Sequence, residues 1–122
     1  MSDARIHWMA QLTIAEGSRE EFTSRAQETI ATVREQEPGA LADEWQISED
    51  GRLCHVDEWY ADTAAAMAHV TGEAVTITLP RLLEVGELTG LWIYTAIDDP
   101  ELRQALVGLG AVFMDRWGGF SR

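Results

Sequence analysis

A single cysteine, Cys54, in 122 residues excludes a disulfide framework and a thiolate metal site. Proline is scarce, at three positions, and glycine supplies ten; with 46% hydrophobic residues beside them, the chain can bury a core and is not a disordered segment. Basic residues are few, nine against twenty-one acidic ones, for a net charge of −12. An acidic surface repels phosphate backbones and anionic headgroups, so neither nucleic acid nor membrane is expected as a partner. No apolar run approaches the length of a membrane span, and the opening Met-Ser-Asp-Ala-Arg lacks the apolar core of a signal peptide, which makes the cytoplasm the expected location. Also missing are a phosphate loop, a nucleophile triad and a metal-ligand spacing among the three histidines. The length predicts one domain over 1–122.

What is present is strong periodicity. Residues 5–14 alternate, with Ile6, Trp8, Ala10, Leu12 and Ile14 on one face and His7, Met9, Gln11 and Thr13 on the other. Ser18 and Glu21 have capping-box spacing, and Phe22, Ala26, Ile30 and Val33 follow at helical intervals until Pro38-Gly39. Residues 41–48 and 52–60 form a predicted hairpin around Asp50-Gly51. The alternation is read as placing Leu41, Trp45, Ile47, Leu53 and Trp59 on one side, with Gln46, Cys54, Val56, Glu58 and Tyr60 on the other. Asp62 caps an alanine-rich helix over 63–70. Residues 73–84 are ambiguous between a short helix and a loop; 88–96 read as a fourth strand. Asp99-Pro100-Glu101 then starts a helix with an apolar stripe at Leu102, Ala105, Leu106 and Leu109, and 111–117 could add a short fifth strand.

The order βαββαβ predicts an α+β, ferredoxin-like fold with an antiparallel four-stranded sheet over residues 5–97, followed by an extra C-terminal helix and arm over 98–122. On this reading the face carrying Trp8, Trp45 and Trp59 is too apolar to meet water. It would be buried against a second copy in a homodimer, or under the C-terminal helix and tail of the same chain.

The succession of a strand, a Gly17-to-Phe22 helix start, Glu37-Pro38-Gly39, a strand, an Asp50-Gly51 turn, Glu58-x-Tyr60 and His69 resembles the antibiotic-biosynthesis monooxygenase (ABM) family of dimeric α/β barrels. The resemblance implies a dimer through the open sheet face and a pocket per subunit between sheet and helices. Family members oxygenate anthrones or quinols without flavin or metal, degrade haem, or isomerise a small phosphorylated signal, so one fold covers several chemistries. Haem-degrading members use an asparagine, a tryptophan and a haem-ligating histidine where this chain aligns Gln11, His69 and Leu79, which argues against haem. Positions that line the pocket in anthrone-oxidising members correspond to Gln46, Val56, Tyr60 and Ala66 here, and His69 with Glu58-x-Tyr60 matches the quinol-oxygenating form.

The expected function is therefore a cofactor-independent monooxygenase that acts on a small electron-rich aromatic with molecular oxygen. His69 is the expected base, because an imidazole titrates near neutrality and a deprotonated quinol readily gives an electron to oxygen. Tyr60 is the second catalytic candidate, as a hydrogen-bond donor to a substrate oxygen, and Gln11, Glu58, Gln46 and Met9 are expected to bind substrate. Glu58 could orient His69 or stand ionised beside Arg81. No cofactor or metal is expected. The competing readings are a non-catalytic binding or accessory protein of the same fold, and an isomerase; nine basic residues make a poor case for a phosphorylated substrate.

Overall fold

The computed structural model describes residues 4–122, so the opening Met1–Asp3, read above with the leader question, lies outside the described residues. Its sheet has the order β2-β3-β1-β4-β5, built from β1 (Ile6–Ile14), β2 (Ala40–Ile47), β3 (Leu53–Tyr60), β4 (Gly86–Ile93) and β5 (Val112–Phe113). The first four strands pair antiparallel in the ferredoxin-like arrangement. β5 joins β4 in parallel, so the expected four-stranded antiparallel sheet is instead a five-stranded mixed one. The helices are α1 (Arg19–Gln36), α2 (Thr63–Thr71), α3 (Leu79–Leu82) and α4 (Pro100–Gly108). The ambiguous segment after α2 resolves into a π-helical turn, Ala74–Thr78, that runs into α3.

Local chemistry sets the element ends. The Asp62 carboxylate accepts from the Ala65 N–H at 2.8 Å and Asp99 from the Leu102 N–H at 2.9 Å, which caps α2 and α4 as their sequences predict. The expected capping box at α1 does not form: Ser18 makes no side-chain cap bond, and Glu21 pairs instead with Arg25 one turn along. Pro38 disfavours helical dihedrals at Glu37, whose backbone turns to φ −123° and ends α1. Gly39 follows, where a Cβ would lie 2.5 Å from the Cβ of Ala65. Its bare backbone lets α2 close down on the start of β2.

The core lies between the helices and one sheet face, where Ile6, Trp8, Ala10, Leu12 and Ile14 of β1 alternate inward. Two expectations change here. Trp8 is only 2% exposed and faces the helices, and Trp45 packs against the same core. Only Trp59 of the three expected interface tryptophans stands on the opposite face, where its ring stacks on His7 with centroids 4.0 Å apart. The reason is hairpin parity. Ser48 N–H bonds to the Leu53 carbonyl and Ile47 lies opposite Cys54, which leaves four residues in the turn rather than an odd number. Residues directly opposite share a face, so Asp43, Trp45 and Ile47 go with Glu58, Val56 and Cys54, while Gln46 goes with His55. Gly51, at φ +74°, supplies the left-handed residue of that turn.

Candidate functional site

Five side chains meet at one end of the helix-side sheet face. Asp43 of β2 and Glu58 of β3 are direct cross-strand neighbours, and Trp8 of β1 is the next residue in the same row. His69 comes down from α2 and Glu37 comes from the end of α1. The imidazole is held from both sides: its Nδ1 is 2.8 Å from Glu37 Oε1, and its Nε2 is 3.2 Å from Glu58 Oε1. Glu37 and Glu58 are only 7% and 6% exposed. The hydroxyl of Tyr60 donates to Glu58 at 2.6 Å, and the rings of Trp8 and His69 flank that of Tyr60.

Burial disfavours a charge on His69, but the hydrogen bonds it donates to Glu37 and Glu58, with their charges, outweigh it and raise the pKa to about 10. His69 is thus an imidazolium at neutral pH. Both of its ring nitrogens face carboxylates in this structure. Burial foremost, then the charge and hydrogen bond of Glu58, raise Tyr60 well above the usual phenol value, so its hydroxyl stays protonated and committed to Glu58. Asp43 is the looser member. Burial and the facing Glu58 carboxylate raise its pKa to about 6, which the nearby Trp45 indole partly offsets without reaching hydrogen-bond geometry.

A cavity of about 70 Å³ opens beside this cluster, between the sheet, α1, α2, the π-turn and α4. Trp8, Trp45, Val56, Leu79, Leu91 and Leu106 are among its mostly apolar walls, and Asp43, Glu58 and His69 are its charged groups. Leu106 and Leu109 flank the end of α4, so the C-terminal helix closes the pocket of its own chain and packs against α2 as it does so.

The structure places His69, Glu58 and Tyr60 together, and Glu58 stands against His69 rather than beside Arg81, which instead approaches Glu28 at 4.0 Å. Tyr60 lies behind Glu58 and does not line the cavity. Gln11, Gln46 and Met9 are not at this site: the strand parities send them to the opposite sheet face. There the Gln11 carbonyl oxygen is 3.0 Å from His55 Nε2 and its amide donates to Thr89. Glu37, Asp43 and Trp45 were missed as site residues. The proline after Glu37 signalled a residue turned out of the helix, and the pairing of Asp43 with Trp45 at a spacing of two would have followed from an even hairpin turn.

Comparison with known proteins agrees with this architecture. The model of the family described as antibiotic biosynthesis monooxygenase matches residues 5–77. No curated protein matches the chain by sequence. Among solved structures, MupZ from Pseudomonas fluorescens superposes with a TM-score of 0.82 at 19% identity, covering 98% of this chain and 96% of that one. A mutant of SnoaB, a cofactor-independent oxygenase from Streptomyces nogalater, superposes with a TM-score of 0.65 at 15% identity, covering 79% of this chain and 96% of its own. At such identities the likeness speaks for the fold. The MupZ match takes in nearly the whole chain, α4 and β5 included, whereas the SnoaB match leaves about a fifth of it uncovered.

Proposed function

Because the chain belongs to the antibiotic biosynthesis monooxygenase family, we propose that it is a cofactor-independent monooxygenase acting on a small electron-rich aromatic of the quinol or anthrone type. The observation that carries this reading is the apolar cavity with aromatic walls, closed at one end by buried carboxylates around a single imidazolium. Such a cavity suits a flat apolar ring with few polar substituents. In the proposed reaction the substrate first loses a proton, and the resulting anion gives an electron to molecular oxygen. For an anthrone-type CH2 group the outcome is a C=O, one oxygen atom entering the ring and the other leaving as water. The His69 cation offsets part of the carboxylate charge that faces the substrate, and Glu37, Glu58 and Tyr60 hold it in place.

The measurement is oxygen uptake with a panel of hydroquinones and anthrones, after chelator treatment and without flavin. Catalysed uptake is expected, an anthrone giving its anthraquinone and a hydroquinone giving a quinone that carries one added oxygen atom, with water as the other product. Tight binding of the same compounds without uptake would instead make the protein a binding module.

We also propose that two copies pair through the other sheet face. Met9, Trp59 and Trp92 are partly exposed there, and Leu53 and Tyr94 are exposed by 40% and 42%, which makes a wide apolar patch for one chain to leave in water. On this reading the expected small aromatic substrate and oxygen enter each protomer from its helical side.

A further inference from the structure

The reaction proposed above needs a group to take the substrate's proton, and His69 has no free nitrogen for it. Asp43 is placed differently. It lines the cavity, and its Oδ2 is buried with no hydrogen-bond donor. Two residues along the same strand face, Trp45 also lines the cavity, and its Nε1 is buried beside the Asp43 carboxyl without reaching hydrogen-bond geometry to it. An acceptor and a donor buried open in one wall cost free energy until something completes them.

Resting on the oxygenase reading, we infer that Asp43 and Trp45 anchor the substrate: Asp43 Oδ2 accepts the hydrogen bond and then the proton of an aromatic hydroxyl, while the Trp45 N–H donates to a second oxygen of the same ligand. The ligand class is then an oxygenated aromatic bearing a hydroxyl and a nearby carbonyl or second hydroxyl oxygen, and not any flat ring that fits. In the proton step the ligand O–H bond breaks, an O–H bond forms at Asp43, and the electron pair stays on the ligand oxygen. Glu58 faces Asp43 from β3, and the charges of His69 on α2 and Glu37 at the end of α1 also act on it. Together with burial they bring the carboxyl to about 6, nearer to a phenol than an exposed aspartate stands, which suits a base working at neutral pH. Asp43 also borders an outer groove between α1 and β2, shared with Glu37 and Arg34. The residue therefore stands between the cavity and that groove, the side on which an accepted proton would leave.

Three probes separate the two contacts: naphthalene, 2-naphthol, which adds a hydroxyl, and 2-acetonaphthone, which adds a carbonyl. The wild type is expected to bind each oxygenated probe about tenfold more tightly than naphthalene. Asp43→Leu, which leaves no acceptor, loses the advantage of 2-naphthol and keeps naphthalene binding, which reports an intact pocket. Trp45→Phe loses the advantage of 2-acetonaphthone only. Turnover of any quinol the protein oxidises falls by about 100-fold or more in Asp43→Asn. Should Asp43→Leu not fold, the wild type decides: its preference for 2-naphthol over naphthalene must fade as pH falls through about 6. An unchanged preference in Asp43→Leu, or a wild-type preference flat in pH, overturns the assignment. Absence of oxygen uptake defeats the oxygenase reading alone, because the binding ratios stand apart from it.

Discussion

Each face of the sheet carries a histidine, a tryptophan, a tyrosine and a carboxylate in contact, yet the two sets are physically unlike. On the helical face His69 lies between Glu37 and Glu58, all three buried, with Trp8 and Tyr60 beside them. On the opposite face His7 meets Asp57 at 2.6 Å and stacks on Trp59 near Tyr94, but the His7 and Asp57 side chains are 23% and 47% exposed. A pair that water can reach gains little from its Coulomb attraction, whereas a buried one must be complete or it becomes a liability. The same residue types therefore form a committed electrostatic site on one face and an ordinary surface contact on the other.

The strongest way to break this contrast is His69→Leu, which leaves Glu37, Glu58 and Asp43 as buried acids without a cation. A loss of about 3–5 kcal/mol in urea unfolding is expected. A loss under about 1 kcal/mol would mean that the cluster is not coupled as its geometry implies. Asp43→Asn should move the other way. Its carboxyl has a folded pKa of about 6 against the ordinary 3.8, so ionisation above that range opposes folding. Removing the charge is expected to stabilise the protein at neutral pH by on the order of 1–3 kcal/mol while lowering activity. The pH profile sharpens the point. The His69 contribution is complete below its unfolded value near 6.5 and is lost as pH rises toward its folded value of about 10, so wild-type stability should decline across that window. The same decline in His69→Leu would assign it to other groups.

For the opposite face the readout is assembly. Trp59→Glu is expected to convert a dimer into a folded monomer by light scattering, while Trp45→Glu acts on the pocket and leaves the mass unchanged. Smallest of all, Asp57→Ala should cost less than about 1 kcal/mol in the same urea titration, because its partner pair is half in water.

Much of the fold was legible because it depends on short-range rules. Apolar spacing marked α1, Asp62 and Asp99 marked the starts of α2 and α4, and Asp50-Gly51 marked the hairpin. Short-range rules also have limits: the Ser18–Glu21 spacing fits a capping box, yet Glu21 found a better partner in Arg25. The site was only half legible. His69, Glu58 and Tyr60 stand in a recognisable run, but which face β2 turns to the helices depends on the count of turn residues. One residue more or fewer exchanges Gln46 for Trp45 and Ala42 for Asp43. The place of Gln11 and Met9 followed from the same parity once β1 was seen to turn Trp8 inward.

The amino-acid sequence alone determined the order of strands and helices, the acidic surface and the presence of one histidine on the second helix, since each follows from neighbours a few residues apart. Tertiary structure decided that Glu37 and Glu58, far apart in the chain, grip that histidine from opposite sides. It also decided that Asp43 faces the cavity and that α4 roofs it. The state of an ionisable group is set by whatever surrounds it in space and by how much water is left there, and no local pattern encodes that.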